Sequence, residues 1–209
     1  MTKPIKILLT GFEPYGAYPE NVSWAVAEGV TACAVSEAQV VAEQLPVSFR
    51  RVGAALRAVV EHHRPDCLVM LGQSPASTNV KLERVALNLM DSAKGDNDGY
   101  RPDEEPICAV GPLARSTTLP LKTLCQAVGQ RHRGVTISNS CGLYVCNRLY
   151  YEALQLAAEM PMEVLFVHLP LFQGQRGVTP REGQFTLAEL TETLCTLLEA
   201  IRNEKILSL

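Results

Sequence analysis

Residues 138–147, with the sequence SNSCGLYVCN, connect a predicted apolar strand to a predicted helix and place a thiol at the junction. Apolar residues at helical spacing predict that this helix runs from Asn147 to about Glu159. The first turn of a helix carries unpaired N–H groups and the positive end of the helix dipole, and both favour the thiolate form of a nearby cysteine. The thiolate is the nucleophilic form, so we expect a reactive cysteine at this junction.

A second apolar segment, residues 164–170, predicts a buried strand in which His168 is the only polar side chain. Strand, helix and strand together predict a β-α-β unit, in which the helix runs back against two parallel strands. The helix then begins at the sheet edge where the second strand ends. We therefore expect Cys146 and His168 to share one edge of the sheet.

A cysteine beside a histidine is the arrangement that nucleophilic acyl transfer requires, because the imidazole takes the thiol proton and later protonates the leaving amine. A third group must orient the imidazole. Glu83 is the candidate, because it follows the predicted strand 67–71 and, in a parallel sheet, the loop after that strand opens on the same edge. The residues alone leave two questions open. Cys141 competes with Cys146 as nucleophile, and cysteines and histidines in apolar segments also serve as ordinary core residues.

Apolar strands alternate with helical patterns along the chain, and no long Gly/Ser-rich linker separates them. With 209 residues, of which 47% are apolar, the chain is long enough for one complete core. We therefore predict an α/β fold, a single three-layer α/β/α domain over residues 1–209 with an open twisted, mostly parallel sheet. The clearest helix is the last, from Leu187 to about Arg202, which Thr186 and Glu189 begin as a capping box.

Charge and hydropathy exclude several classes of function. The formal net charge of -3 gives no electrostatic reason to bind nucleic acid or an anionic membrane. No apolar run approaches the roughly 18 residues that span a bilayer, and residues 1–6 lead directly into a strand, so we predict a cytoplasmic protein without a signal peptide. The seven cysteines have no regular spacing, which favours reduced thiols over a disulfide framework and predicts no zinc site.

Several segments, spaced along the chain in one order, match a known family. They are residues 8–16 with Asn21, Ser23 and Trp24, then Gly72 and Gln73, residues 83–88, residues 138–147 and residues 167–170. On these segments the chain resembles, over nearly its whole length, the pyrrolidone carboxyl peptidases, or pyroglutamyl peptidases type I, which are cysteine peptidases. The resemblance implies that Cys146 is the nucleophile, His168 the base and Glu83 the orienting acid. It also implies that Cys141, where the family tends to have a small residue, is a neighbour of the nucleophile.

The substrate of the resembled family carries an N-terminal pyroglutamyl group, a five-membered lactam without a charged amine. Such a ring needs apolar walls and a few amide partners. The candidates for the walls are Phe12, Tyr15, Tyr144 and Val145. Gln73, with N–H groups at the start of the Cys146 helix, is the candidate for stabilising the oxyanion. The chain departs from the family pattern at Tyr15, Val47, Ser74, Pro75, Ala76, Ser77 and Ala93, which Lys94 follows.

The sequence therefore predicts a cysteine exopeptidase that removes N-terminal pyroglutamate from small peptides without a metal or an organic cofactor. The acidic segment 96–105 is interpreted as a solvated loop and not as a calcium site. By resemblance to the family, the chain is expected to form a homodimer or a homotetramer. Two alternatives remain open: a thiol amidase of the same fold that acts on another small amide, and a non-catalytic protein that binds a small molecule.

Overall fold

The computed structural model describes residues 4–33, 35–179 and 183–207, the last three of them as helix without their side chains. The strands, in chain order, are β1 (Ile5–Phe12), β2 (Ala38–Leu45), β3 (Cys67–Gln73), β4 (Val80–Glu83), β5 (Val85–Leu87), β6 (Ala114–Ser116), β7 (Val135–Ser138) and β8 (Glu163–Leu169). The helices are α1 (Val22–Thr31), α2 (Val52–His63), α3 (Leu121–Gly129), α4 (Val145–Ala157) and α5 (Leu187–Leu207).

The main sheet contains the described strands in the order β2-β1-β3-β8-β4-β7. β1, β2, β3 and β8 are parallel to one another, as expected for apolar strands joined by helices. β4 pairs antiparallel with β8 and parallel with β7, and β5 pairs with β6 in a separate antiparallel sheet. The prediction of a mostly parallel sheet is confirmed.

The prediction of a parallel β-α-β unit around α4 is wrong. β7 and β8 are not neighbours, because β4 lies between them, and β7 runs opposite to β8. β4 has only 4 residues, too few for an alternation pattern to reveal it in the sequence. The predicted direction of α4 is nevertheless found. It packs on β8 and ends shortly before β8 begins, so its first turn lies at the edge where β8 ends.

Two hydrophobic cores lie on opposite faces of the sheet. α1, α3 and α5 cover one face with residues such as Val26, Leu124 and Leu194, and α2 and α4 cover the other with Leu56 and Leu149. These side chains are fully buried, and burial of each stabilises the fold by roughly 1.5–3 kcal/mol. The helices therefore flank the sheet in the predicted three-layer α/β/α arrangement.

The last helix begins with the predicted capping box. The Thr186 N–H donates to Glu189 Oε2 at 2.7 Å, and the Glu189 N–H donates to Thr186 Oγ1 at 3.1 Å. The helix continues past the predicted end at Arg202 to Leu207. Within the described part of the chain, no helix has the length and apolar composition that crossing a bilayer requires.

Cys33 and Cys195 form a disulfide, so the expectation of reduced thiols is wrong at these two cysteines. α1 and α5 pack against each other, and this brings together two cysteines that are 162 positions apart in sequence. Spacing along the chain carries no information about such a contact. The remaining described cysteines are not in disulfides: Cys67, Cys108, Cys125, Cys141 and Cys146.

Candidate active site

Glu83 and His168 lie on the neighbouring antiparallel strands β4 and β8. Lys81 is opposite His168 and Glu83 is opposite Phe166, which makes Glu83 and His168 diagonal neighbours on one face of the sheet. A long side chain can reach a diagonal neighbour, and Glu83 Oε1 lies 2.8 Å from His168 Nδ1. The sequence predicts Glu83 on a loop after a parallel strand. That location is wrong, and the antiparallel register is what brings the two side chains together.

Gly72 on β3 provides the room for the His168 ring. Gly72 is the register partner of His168, and a Cβ atom on it would lie 2.8 Å from the Phe166 ring and 3.1 Å from His168 Cδ2. A side chain at position 72 would therefore displace both rings. Phe166 packs against the imidazole with ring centroids 4.9 Å apart, so packing and the hydrogen bond to Glu83 together fix the ring.

His168 is buried in contact with two acidic groups. Burial, the largest single influence, lowers the pKa of His168. Hydrogen bonds to Cys146 and Glu83, with the negative charges of those groups, outweigh it and raise the pKa to about 9. His168 therefore holds its proton more tightly than an exposed histidine does. A protonated imidazole beside Cys146 is able to deliver a proton to a leaving amine.

Cys146 is the second residue of α4, which begins at Val145 rather than at the predicted Asn147. The thiol therefore lies within the first turn of the helix. The N-cap residue, Tyr144, makes no side-chain capping hydrogen bond, and the first turn contains no acidic residue. The N–H groups of Val145 and Cys146 have no acceptor among the described residues and are left for a ligand, and the helix dipole favours negative charge there.

Cys141, the competing nucleophile, is in a different environment from Cys146. It is buried, with 7% of its surface exposed, and its Sγ lies 3.4 Å from Asn147 Oδ1. Burial, and then the negative charges of Cys146 and Glu83, raise the pKa of Cys141 well above its ordinary value. Cys141 therefore stays a protonated thiol that donates to Asn147, which is a poor state for a nucleophile.

Asn147 ties the first turn of α4 to the segment that follows β4. It is fully buried. Its Oδ1 accepts from the Leu87 N–H at 2.9 Å, and its Nδ2 donates to the carbonyls of Leu87 and Leu89 at 2.8 Å each. These three bonds fix the position of Cys146 next to it. This role is not among those predicted from the sequence, although an amide side chain at a helix start is a signal for it, because such side chains hydrogen-bond nearby backbone.

A cavity of about 760 Å³ opens beside Cys146 and His168. Its volume is within the range of small-molecule sites. Three of the predicted substrate-binding residues line it, namely Tyr15, Gln73 and Tyr144. The other two, Phe12 on β1 and Val145 on α4, are buried in the core that α2 and α4 cover and are not among the lining residues that the structure describes.

Two tyrosines form an aromatic wall of the cavity. The rings of Tyr15 and Tyr144 lie with centroids 5.3 Å apart, and the Tyr144 hydroxyl donates to Gly95 O at 3.0 Å. Burial, and then the adjacent Tyr15, raise the pKa of Tyr144, so its hydroxyl remains neutral. The wall is therefore aromatic and uncharged, which suits a neutral ring.

Residues 91–100 form the rim next to Tyr144 and are held by Asp96. The buried Asp96 side chain accepts through Oδ2 from the Phe49 N–H at 2.7 Å. Its Oδ1 accepts from the N–H groups of Asp98 and Tyr100 at 3.0 and 2.9 Å. The interpretation of this segment as a solvated loop is therefore wrong at Asp96, which closes the loop by binding backbone. In the described ranges, no group of three or more His, Cys, Asp or Glu side chains is arranged to hold a metal ion.

The start of α1 also lies beside the cavity. α1 approaches β1 closely at Gly11, where a Cβ atom would lie 2.7 Å from the backbone of Ser23 and Trp24. The Val22 N–H, in the first turn of α1, donates to Gln73 Oε1 at 3.1 Å. The glycine thus permits a contact that places the helix start against Gln73.

Comparison with known proteins gives relatives over nearly the whole chain. The family model for pyroglutamyl peptidase matches residues 5–201. A pyrrolidone-carboxylate peptidase of Thermococcus onnurineus is 37% identical over 179 residues, which cover 85% of this chain and 89% of the relative. One of Gloeobacter violaceus is 33% identical over 96% of this chain and 98% of its own length.

Solved structures show the same fold. The pyrrolidone carboxyl peptidase from Thermococcus litoralis matches with a TM-score of 0.91 at 27% identity, covering 98% of this chain and 96% of that one. The pyroglutamyl peptidase I of Bacillus amyloliquefaciens matches with a TM-score of 0.87 at 29% identity, covering 95% and 97%. Because sequence and fold agree from one end of the described chain to the other, the chain belongs to the pyroglutamyl peptidase family.

Proposed function

We propose that this chain is a cysteine exopeptidase that hydrolyses the amide bond after an N-terminal pyroglutamyl residue of small peptides. The observation that carries the proposal is that His168, hydrogen-bonded to Glu83, lines a cavity together with Cys146. Membership of a family whose relatives are named pyrrolidone-carboxylate peptidases supports the substrate class. The chemistry proposed below uses these side chains, the N–H groups at the start of α4 and water.

In the acylation step, Cys146 Sγ attacks the carbonyl carbon of the pyroglutamyl group while His168 holds the thiol proton. The carbonyl oxygen becomes an oxyanion, which the unpaired N–H groups at the start of α4 stabilise. The C–N bond then breaks, the electron pair leaves on the amine nitrogen, and His168 protonates it. The free peptide departs and a thioester remains on Cys146.

In the deacylation step, His168 takes a proton from water, and the resulting hydroxide attacks the thioester carbonyl. The C–S bond breaks with its electron pair on Sγ, which leaves the Cys146 thiolate beside the protonated His168. Pyroglutamic acid departs and loses its carboxyl proton to solvent. Glu83 binds Nδ1 of His168 throughout, which holds the imidazole with Nε2 toward the reacting atoms and stabilises its charged form.

The lining of the cavity supports selection for a neutral lactam. None of the described lining residues has a carboxylate, so a free α-ammonium group would be buried there without an ionic partner. We therefore propose that pyroglutamyl amides are cleaved and that glutaminyl and prolyl amides are poor substrates. The discrimination is expected to be about 100-fold or more, as for sites in which one buried polar group loses its partner.

The test is hydrolysis of pyroglutamyl, prolyl and glutaminyl aminocoumarin amides by the purified protein in the presence of a reductant. Hydrolysis of the pyroglutamyl amide alone supports the proposal. Equal turnover of the other amides favours the thiol amidase, with the departures at Val47, residues 74–77 and Ala93 as its cause. Tight binding of pyroglutamate without turnover of any amide favours a non-catalytic binding protein.

We also propose that the chain works as a homodimer or homotetramer in the cytoplasm. Two exposed apolar side chains, Val110 (97% exposed) and Leu113 (88% exposed), support association between copies. Sedimentation of the wild type and of Val110→Ser/Leu113→Ser tests the assembly, since an unchanged mass would exclude this surface. Alkylation of thiols in intact cells before fractionation tests the compartment. Alkylated Cys33 and Cys195 would support the cytoplasm, because a reducing cytoplasm opposes the disulfide between them.

A further inference from the structure

Gln175 is a buried amide on the loop that follows β8, and the chemistry above does not use it. Only 2% of its surface is exposed, whereas the neighbouring Gln173 on the same loop is exposed. Gln175 Nε2 donates to Gln73 Oε1 at 2.8 Å and to Glu20 O at 3.3 Å, and Gln175 Oε1 accepts from the Phe172 N–H at 3.4 Å. A polar side chain this deeply buried and bonded through both ends has a defined orientation.

The orientation of the two amides follows from backbone groups that cannot reverse. The Val22 N–H is a donor, so the atom of Gln73 that faces it must be Oε1. The atom of Gln175 that faces Gln73 Oε1 must in turn be a donor, which is Nε2. The Glu20 carbonyl requires the same assignment, because it only accepts. The positions of the oxygen and nitrogen atoms in both amides therefore follow from their hydrogen-bond partners, and neither amide can be flipped.

The same network determines where Gln73 directs its NH₂ group. Its Oε1 is occupied by two donors, so its NH₂ group points away from them, and Gln73 lines the cavity. The structure records no acceptor for this NH₂ group among the described residues. Gln73 is the last residue of β3, directly after Gly72, which lies against the His168 ring. Its free donor is therefore at the edge where the reacting carbonyl has to lie.

We propose that Gln175 is a positioning residue that locks the Gln73 amide so that its NH₂ group donates to the reacting carbonyl oxygen of the substrate. The inference rests on the proposed function. The loop after β8 then takes part in the reaction, because its Gln175 donates the hydrogen bond that determines which end of the Gln73 amide faces the cavity. Without Gln175, the Gln73 amide is held by Val22 alone and spends part of its time turned away from the substrate.

The test is a double-mutant cycle with Gln73→Met and Gln175→Met, assayed on a pyroglutamyl aminocoumarin amide. Loss of one donor to an oxyanion typically lowers kcat by about 10²–10³-fold, so we expect a loss in this range for Gln73→Met. We expect a smaller loss, about 10-fold, for Gln175→Met, with KM within about twofold of wild type in both. The double variant should be no slower than Gln73→Met alone, because Gln175 acts only through Gln73.

The matched control is Gln173→Met, on the same loop but exposed, which should leave kcat and KM unchanged. Losses that multiply in the double variant, or a Gln175→Met effect confined to KM, would overturn the inference. Thermal unfolding and the fraction of Cys146 that reacts with iodoacetamide correct each rate for misfolded protein. An isosteric Gln175→Glu should be at least as slow as Gln175→Met, since an ionised carboxylate cannot donate to Gln73 Oε1.

An inactive wild type would refute the proposed function and leave the network to be tested directly. Side-chain amide hydrogen exchange is then the measurement. The Gln175 NH₂ group, bonded to two acceptors, should exchange at least about 10-fold more slowly than that of Gln173. Equal exchange rates would overturn the assignment of Gln175 whatever the enzyme does.

Discussion

The side chains proposed to carry out the chemistry lie on regular secondary structure, whereas the rim of the cavity is built from loops. Glu83, His168 and Cys146 belong to β4, β8 and α4. The rim includes parts of the segments after β1, β3, β5 and β8, among them Tyr15, Pro75 and Lys94. Strands and a helix hold reacting atoms within the narrow tolerance that catalysis needs. Loops can change what reaches those atoms without moving them.

The two regions are also held by different interactions. The strands are fixed by ladder hydrogen bonds and by packing on both faces of the sheet. The rim depends on single side chains, for example Asn97, whose Nδ2 donates to Glu13 Oε1 and to Pro14 O at 2.9 Å each. Three positions at which the sequence is expected to depart from the family pattern, Tyr15, Pro75 and Ala93, lie in or beside this rim, so we expect substitution there to leave the sheet intact.

The largest expected effect separates the two cysteines of one segment. Cys146→Ala removes the proposed nucleophile and should lower kcat by at least about 10⁴-fold. Cys141→Ala should keep most of the activity, because the Cys141 thiol is buried and protonated. Hydrolysis of a pyroglutamyl aminocoumarin amide is the assay. Full activity of Cys146→Ala would reject the mechanism, and faster labelling of Cys141 than of Cys146 by iodoacetamide would exchange their roles.

The next prediction tests whether Glu83, on the paired strands β4 and β8, acts in catalysis or only in folding. Glu83→Gln keeps the shape of the side chain but loses the charge that supports protonated His168, so kcat should fall by about 10²–10⁴-fold with little change in KM. Circular dichroism and thermal unfolding serve as controls. Near-normal turnover by an unstable variant would show that Glu83 is structural.

The raised pKa of His168 also makes stability depend on pH. The pKa is about 9 in the folded protein against an ordinary value of 6.5, so the proton binds the folded state more tightly. The resulting stabilisation is complete below pH 6.5 and is lost as the pH rises through about 9. Glu83→Gln lowers this pKa, so its destabilisation relative to wild type should shrink between about pH 6.5 and pH 10. Urea unfolding at several pH values measures the difference, and a gap that widens with pH would contradict the assignment.

The sequence predicts the long, periodic elements of this fold well. The strand with His168, the helix after Cys146 and the capping box of Thr186 and Glu189 all follow from local patterns that tertiary contacts reinforce. The shared edge of Cys146 and His168 is found as expected. It arises from the direction of α4 alone, since the parallel pairing used to derive it does not occur.

The features that sequence reasoning missed depend on contacts between distant segments. The inserted β4 is too short for a pattern, and its antiparallel register is what brings Glu83 to His168. The Cys33–Cys195 disulfide depends on the packing of two helices from opposite ends of the chain. Gln175 lies in a polar loop and is of a residue type that is usually exposed, although tertiary contacts bury it. Local composition cannot distinguish these cases.

A smaller effect is expected from the rim. Lys94 and His168 are the basic side chains among the described residues that line the cavity, and no described carboxylate is within ion-pair distance of Lys94. We expect Lys94 to favour peptides with an acidic residue after pyroglutamate. Lys94→Gln should raise KM for such peptides by about fivefold or less, as for an exposed ion pair, and leave KM for neutral peptides unchanged. High salt should have the same effect on wild type.

The control for that variant is Lys122→Gln, on the exposed side of α3 away from the cavity, which should change neither KM. Equal changes in KM for acidic and neutral peptides would mean that Lys94 shapes the rim rather than selecting charge. A fall in kcat with constant KM would indicate that Lys94 acts in the chemical step and not in selecting the peptide.

The smallest effect on turnover is expected at the opposite end of α1. The helix starts beside Gln73 and ends next to Cys33, about 15 Å away at 1.5 Å per residue. Cys33→Ser removes the disulfide and should lower the free energy of unfolding by about 2–4 kcal/mol. It should leave kcat/KM within about twofold of wild type, because the bonds that hold Val22 against Gln73 do not involve it. Cys125→Ser, at a free cysteine on α3, is the matched control and should be less destabilising. A drop in kcat for Cys33→Ser, but not for Cys125→Ser, would mean that the disulfide helps to position the start of α1, and through it the Gln73 amide. The cavity would then depend on a contact at the far end of α1 as well as on the side chains of its own rim.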